Sequence, residues 1–348
     1  MKKQIFILVF ALFITSIVFG QVNPNPKVSQ KPTCAATESS PSAGKLYNYK
    51  ADIAFTAGFA GNGKYDWYVT QNTNLIDPAS IMADGGTDFV ATGKYHGVAG
   101  SVNTIGITWS AASIVNSNPY YLVIKYSETN GTCNPENIRV YRIKPQNTFW
   151  LKLESALADG TPETTYKYCP SPIASAVYNE GSSTVQYKYG SNVIYALITA
   201  GGYTGDWDVK LQLSNIQDDQ AISSIVWKDI TGGIKTGSFT APGSIAYGAG
   251  VAGVWTGSLP STDANTQILV TITLNNNFHQ GLTDQAINIA VDGSITSGAT
   301  VLNDLSDVTA SCTPEAAYAD YVISTIKARP TINPNNPASF ASDPTTKP

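Results

Sequence analysis

Hydrophobic and polar residues alternate along much of this chain with the period of two that turns one face of a β-strand inward and the other outward. Tyr65, Trp67 and Val69 alternate with Asp66 and Tyr68, and later Trp207, Val209, Leu211 and Leu213 alternate with Asp208, Lys210 and Gln212. The tryptophans therefore fall on the inward faces, and Trp67, Trp109, Trp207 and Trp255 are the expected core anchors. Two further runs, Tyr120–Tyr126 (YYLVIKY) and Ile268–Leu274 (ILVTITL), are rich in β-branched and aromatic residues and bounded by Asn, Gly and Pro, as strands are. Helical spacing is confined to Leu151–Ala158, which reads equally as the continuation of a strand through Phe149, Trp150 and Leu151. Many short strands with turn residues and no helices between them predict antiparallel β-sandwiches rather than a parallel α/β sheet.

The strands recur as a repeat. FTAGFAGNGKYDWYV at Phe55–Val69 is echoed by ITAGGYTGDWDV at Ile198–Val209, and a Gly-Val-Ala-Gly segment follows in each half, at Gly97–Gly100 and Gly250–Gly253. A second tryptophan comes next (Trp109, Trp255), then a cysteine (Cys133, Cys312), then a closing β-rich run, RVYRIKP at Arg139–Pro145 and YVISTIKARP at Tyr321–Pro330. Landmarks preserved in order predict a duplicated architecture. The copies are expected at Cys34–Pro145 and Tyr166–Pro330, with Gln146–Thr165 as a linker packed between them. On this alignment Asn275–Asp307 is an insertion in the second copy. Its Ile287, Ile289 and Val291 alternate with polar or small residues, so an added strand is expected there, and these three residues are the candidate partner contacts, since an added strand can cover an edge or offer one.

Lys2 and Lys3 precede the apolar run Ile5–Phe19, and a small-residue context follows at Val18–Gly20, so Met1–Gly20 reads as a secretory signal. A secreted or cell-surface location is the expectation. Gln21–Thr33 reads as an extended leader and residues 331–348 as a disordered Pro-rich tail. An exported chain favours disulfides, and the repeat selects Cys34–Cys133 and Cys169–Cys312 among the three pairings that four cysteines allow; free cysteines or a cross-pairing are the alternatives.

Charged residues make up only 13% of the chain, the net charge is −4, and no dense Lys/Arg run occurs. Nucleic-acid binding is thereby disfavoured, because the electrostatic footprint it needs is missing. Beyond the signal no run approaches the ~20 apolar residues of a membrane-spanning helix, so membrane insertion is not expected either.

Catalytic constellations are absent from the sequence. His96 and His279 stand in no metal-ligand spacing, no Gly-x-Ser-x-Gly elbow presents a nucleophile, and the glycine-rich stretches Gly58–Gly63 and Gly248–Gly257 lack a phosphate-loop pattern. Asp206 and Asp208 share the outward face of the Trp207 strand and read as its polar side. Asp218, Asp219, Asp304 and Asp307 place carboxylates in loops, where calcium prefers its oxygen ligands, but without the spacing of a calcium loop. No catalytic residue, metal or cofactor is assigned. Tyrosines including Tyr68 and Tyr121 offer a different chemistry, stacking on sugars.

The order of an early Cys-Pro, a Gly/Tyr-rich bend into a Trp strand, a later Trp strand and a final Cys before a closing strand resembles the PKD-like and immunoglobulin-like sandwiches of secreted and cell-surface Bacteroidota proteins. The resemblance spans both copies and implies an all-β protein of two tandem sandwich domains, each with one disulfide. It also implies a non-enzymatic role through protein–protein contact or self-association in an adhesin, a filament, or a gliding- or secretion-associated assembly. The alternative expectation is a pair of carbohydrate-binding modules with glycan as partner. Peptide mapping without reductant checks the pairing: it should link Cys34 to Cys133 and Cys169 to Cys312, whereas a Cys133–Cys169 link would tie the copies across their boundary and overturn it.

Overall fold

The computed structural model describes residues 36–52, 63–98, 102–129, 134–203, 206–231, 235–241, 252–259, 266–297, 299–305 and 320–332. The signal segment, the leader, most of the tail, and Cys34, Cys133 and Cys312 lie outside them, and Cys169 forms no disulfide among the described residues. The described residues contain strands and two short 3-10 turns but no α-helix.

The N-terminal part builds β1 (Leu46–Lys50), β2 (Lys64–Thr70), β3 (Phe89–Thr92), β4 (Thr104–Trp109), β5 (Tyr120–Ser127) and β6 (Glu136–Ile143). They form two antiparallel sheets in the orders β1-β4-β3 and β2-β5-β6. Their inward faces meet in one cluster that includes Tyr49, Trp67, Val69, Ile107, Trp109, Leu122 and Ile143. Trp67 and Trp109 are fully buried, and the indole nitrogen of Trp67 donates to the Val102 carbonyl at 3.0 Å. On the other face of β2, Tyr68 is also buried, and its hydroxyl donates to the Leu75 carbonyl at 2.8 Å.

The C-terminal part builds β7 (Trp150–Ser155), β8 (Lys167–Tyr168), β9 (Ile173–Asn179), β10 (Thr184–Gly201), β11 (Trp207–Ser214), β12 (Ala221–Asp229), β13 (Thr236–Ser238), β14 (Ala252–Leu259), β15 (Thr266–Asn277), β16 (Gln285–Ser297), β17 (Thr300–Asn303) and β18 (Asp320–Ile326). One sheet runs β13-β12-β15-β10-β7 with β9 on β10, the other β14-β11-β16-β18-β8 with β17 on β16. Trp207, Leu211, Ile198, Ile272 and Ile289 belong to the core between them.

Comparing the two parts strand by strand exposes the duplication. The order β1-β4-β3 recurs as β10-β15-β12, and β2-β5-β6 recurs as β11-β16-β18. These orders are compatible with the B-E-D and C-F-G sheets of an immunoglobulin-type sandwich, with β7 of the second unit at the position of strand A beside β10. In the second unit the Thr-Ala-Gly run at Thr199–Gly201 ends β10, just before the chain passes to the sheet of β11, while its first copy at Thr56–Gly58 lies outside the described residues. In the second copy a Cβ on Gly202, at φ +80°, would lie 1.6 Å from the Thr148 carbonyl oxygen, so only glycine fits.

Three expectations change. Leu151–Ala158 is not a helix: Trp150–Ser155 is β7, paired with Ala196–Gly201 of β10, so the segment Gln146–Thr165 supplies an outer strand of the second sandwich rather than a linker. Asn275–Asp307 is not an insertion. It contains β16, the counterpart of β5, which is hydrogen-bonded to β11 on one side and β18 on the other. Ile287, Ile289 and Val291 are accordingly buried in the core and cannot serve as partner contacts. Finally, Trp109 and Trp255 are not equivalent: Trp109 ends β4, whereas Trp255 sits on β14, opposite Leu211, a strand with no counterpart among the described residues of the first unit; its side chain lies outside the described residues.

The two units touch. Ala111, in the turn after β4, is buried within the second unit's core, with Ile114 packed against it. Trp67→Ala and Trp207→Ala should each destabilise the unit that holds them by ~3–5 kcal/mol, the range of large core truncations. Calorimetry checks this, since two resolved transitions would respond separately and wild-type melting would refute it. Replacing residues 277–307 by the turn Ser127–Thr132 removes a central strand and should abolish folding of the second unit.

Candidate interaction surface

β10 is long because it does two jobs. Its residues from Tyr189 onward pair with β15, and those from Ala196 onward also with β7. Thr184–Lys188 pair only with β9 among the described residues. This end of the strand therefore leaves the sandwich as a two-stranded ribbon, five residues or roughly 17 Å at ~3.4 Å per residue. The register shifts between Lys188 and Tyr189, a bulge at the point where the ribbon departs.

Every residue of β9 is exposed. Ile173, Val177 and Tyr178 are 54%, 61% and 53% exposed, large apolar side chains held in water by their own strand. Tyr178 lies opposite Val185 and Ala176 opposite Tyr187, so one face of the ribbon is apolar and aromatic, while Ser175 opposite Lys188 makes the other more polar. The outer edge of β9 has no partner among the described residues, and its sequence, IASAVYN, contains neither a charge nor a proline. Those are the devices that normally keep an open edge from pairing with another chain.

The base of the ribbon is tied down. Tyr189 is buried there, stacked on Tyr187 at 6.2 Å between ring centroids, and the Arg329 guanidinium sits 4.1 Å over the Tyr189 ring. Arg329 also donates to the Ser171 hydroxyl at 3.1 Å. The buried Asn276 side-chain amide reaches the Gly190 carbonyl at 3.0 Å, the Ser171 hydroxyl at 2.9 Å and the Asn192 side-chain oxygen at 2.8 Å. Gln220 donates to both Asn276 and Gln285, and Gln285 returns a bond to Gln220 at 2.7 Å. A shallow depression lined by Pro170, Asn192, His279 and Arg329 lies over this network. His279 faces Asp219 at 3.2 Å beside it.

The residues singled out from the sequence are dispersed. His96 pairs with Asp66 at 3.0 Å on the first unit, far along the chain from His279 and Asp219. Asp208 is exposed on β11, as a polar strand face would be. Tyr68, a candidate sugar platform, is buried and unavailable, while Tyr121 is half-buried. The sequence reading passed over the ribbon, whose signal is the Gly-containing turn EGSS between two strand-like runs, IASAVYN and TVQYKYG.

Among the described residues no group of three or more His, Cys, Asp or Glu side chains converges closely enough to hold a metal, and no helix is long and apolar enough to cross a membrane. No family model matches the chain, and no curated protein matches it. Among solved structures, the full-length major pilin SpaD from Corynebacterium diphtheriae is similar at 11% identity and a TM-score of 0.29, over 80% of this chain and 66% of the pilin. A structure of manganese lipoxygenase of Gaeumannomyces graminis with part of zonadhesin of Komagataella pastoris is similar at 8% identity and a TM-score of 0.19, over 86% of this chain and 98% of that one. Neither superposition is close enough to transfer a role.

Asn276→Ala should orphan the groups it joins at the ribbon's base and destabilise the second unit by about 1–3 kcal/mol, the cost of an unsatisfied buried polar group. Hydrogen exchange should quicken at Tyr189 and Gly190, and unchanged protection there would show that the network does not anchor the ribbon.

Proposed function

We propose that the protein is a non-enzymatic extracellular structural protein that joins a surface assembly by strand addition along the open edge of β9. The observation that carries this reading is a fully exposed, uncharged, proline-free strand projecting on a two-stranded ribbon from a well-packed sandwich. A hairpin isolated in water is marginally stable, and a third strand supplies the hydrogen bonds and apolar cover it lacks. Strand addition gives affinity through backbone bonds, with alternate side chains setting selectivity. A contact outside the cytoplasm is in keeping with the secretory signal read at Met1–Gly20.

The edge also suits a second copy of itself. Antiparallel pairing of two β9 strands about Ala176 sets Ile173 against Asn179 and Ala174 against Tyr178, without a like-charge clash anywhere along the strand. Such a pairing is isologous and closes as a dimer. Sedimentation of the mature protein at ~0.1 mM, a concentration that populates any contact tighter than about −5 kcal/mol, should show a dimer. Val177→Lys, placed on an already exposed side chain, should dissociate it while leaving melting unchanged. A monomeric wild type that saturably binds glycans, with binding lost on Tyr178→Ala, would replace this reading with the carbohydrate-binding one.

A further inference from the structure

A half-buried cation just past the last strand of the C-terminal unit stands without an acid among the described residues. β18 ends at Ile326, and the three residues after it are fastened one by one through their main-chain N–H groups. Lys327 donates to the Tyr168 carbonyl at 2.9 Å, Ala328 to the Asp284 carboxylate at 2.8 Å and Arg329 to the Gly281 carbonyl at 2.8 Å. This segment is thereby held against the loop joining β15 to β16, where it lines the shallow depression at the ribbon's base.

Three basic side chains line the depression, His279, Lys327 and Arg329, and no acid does. Two of them are engaged from outside it. Lys327 pairs with Asp284, whose carboxyl the ammonium and then the Ala328 N–H hold below the usual carboxylate range, and Nδ1 of His279 faces Asp219 at 3.2 Å. Arg329 differs from both. It forms no ion pair among the described residues, its Nε–H is buried without a hydrogen-bond partner, and its guanidinium donates only to the neutral Ser171 hydroxyl there. Burial pulls its pKa below the usual arginine range, with Tyr189 acting in the opposite sense. The Tyr189 ring supports the cation face-on at 4.1 Å but brings no negative charge. A desolvated cation without a counter-ion is costly, and most of the five N–H donors of this guanidinium are unused among the described residues.

The rest of the lining is neutral. Asn276 and Gln285 are committed to the buried amide network and make a fixed floor. Asn192 gives one amide hydrogen to the Cys169 carbonyl at 2.8 Å and keeps its second, and Thr283 adds an exposed hydroxyl. We propose that this depression binds a carboxylate group carried by a small polar ligand, with Arg329 as the ion-pairing residue and Asn192 and Thr283 as neutral donors. A carboxylate matches the planar fork of a guanidinium through two parallel, charge-assisted bonds. Stacking on Tyr189 holds the fork in position before the ligand arrives. The site stands apart from the open edge of β9 and needs no partner chain. Its shallow form admits one such group rather than a whole ligand, so a sugar acid and a peptide terminus present the same chemistry to it.

The test uses the full mature chain, isotope-labelled and titrated near neutral pH with sodium glucuronate and, separately, with N-acetylglycine. Methyl glucoside and N-acetylglycinamide are the neutral counterparts. The backbone amide resonances of Asn192, Gly281, Thr283 and Arg329 should shift saturably with at least one carboxylate, and its neutral counterpart should bind about ten-fold more weakly or less. Arg329→Gln should weaken carboxylate binding by about ten-fold or more, as the loss of a charge-assisted hydrogen bond does. Tighter binding of glucuronate assigns the group to sugar acids, tighter binding of N-acetylglycine to peptide termini, and equal binding to the carboxylate alone; each supports the site. No saturable shift with either carboxylate at ~0.1 M overturns the proposal. So do neutral counterparts that bind equally well, the same shifts with sodium chloride at equal ionic strength, or carboxylate binding unchanged in Arg329→Gln. Should that variant not fold, the comparison of each carboxylate with its neutral counterpart decides.

Discussion

The constraint on which the rest of the structure depends is the crossing from one sheet to the other just before each inward tryptophan. In the second unit β10 belongs to one sheet and β11 to the facing one, and the glycine bend at the end of β10 begins the passage through the thickness of the sandwich. Gly201 and Gly202 make that turn against Trp150 and Thr148, where no side chain fits. Immediately afterwards Trp207 enters the core, with Phe149 5.8 Å from it, as Trp67 enters its own among Val69, Ile107 and Leu122. With the crossing and the tryptophan fixed, the remaining strands have one consistent way to pair. That is why the most recognisable piece of the repeat is this one and not the strands that follow.

Away from the bend, the sequence spoke clearly about strands and poorly about which strand was which. Period-two alternation located β2, β5, β11 and β15 and gave the all-β class, because a half-buried strand imposes that pattern wherever it sits. It does not number the strands. ILVTITL of β15 has the composition of YYLVIKY in β5, and aligning them displaced the second copy by one strand, which turned the central β16 into an apparent insertion. The register shows β15 answering to β4, whose TIGITW carries less of the apolar signal because Gly106 and Thr108 interrupt it. Trp150–Ser155 was ambiguous for a related reason: an outer strand with one polar face, WLKLES, is short enough to match either period.

The edges of the two units are managed differently, and the difference singles out the ribbon. β6 is the outer strand of its sheet and carries Glu136, Arg139 and Arg142, with Lys125 of β5 ion-paired to Glu136 at 2.8 Å. β3 and β13 are edges of only four and three residues. Charge and brevity are the ordinary protections against stray pairing. β9 has seven residues, neither protection, and no buried side chain. β14, AGVWTGSL, is an uncharged edge as well, bridged at Thr256 to Thr240, so what sets β9 apart is that all seven of its residues are exposed.

The places where the sequence pattern fails as a guide to burial are also informative. β9 is mostly apolar, yet buries no residue, because the ribbon extends past the strands that β10 pairs with in the sheet. Asp304 and Asp320 are charged residues in segments that look like loops, yet they are among the most buried residues of the second unit, because β17 and β18 meet end to end against β16. A fold in which local propensity, patterning and packing agree nearly everywhere tolerates disagreement only where something outside the chain restores the balance. For the ribbon, a further strand supplies the missing cover.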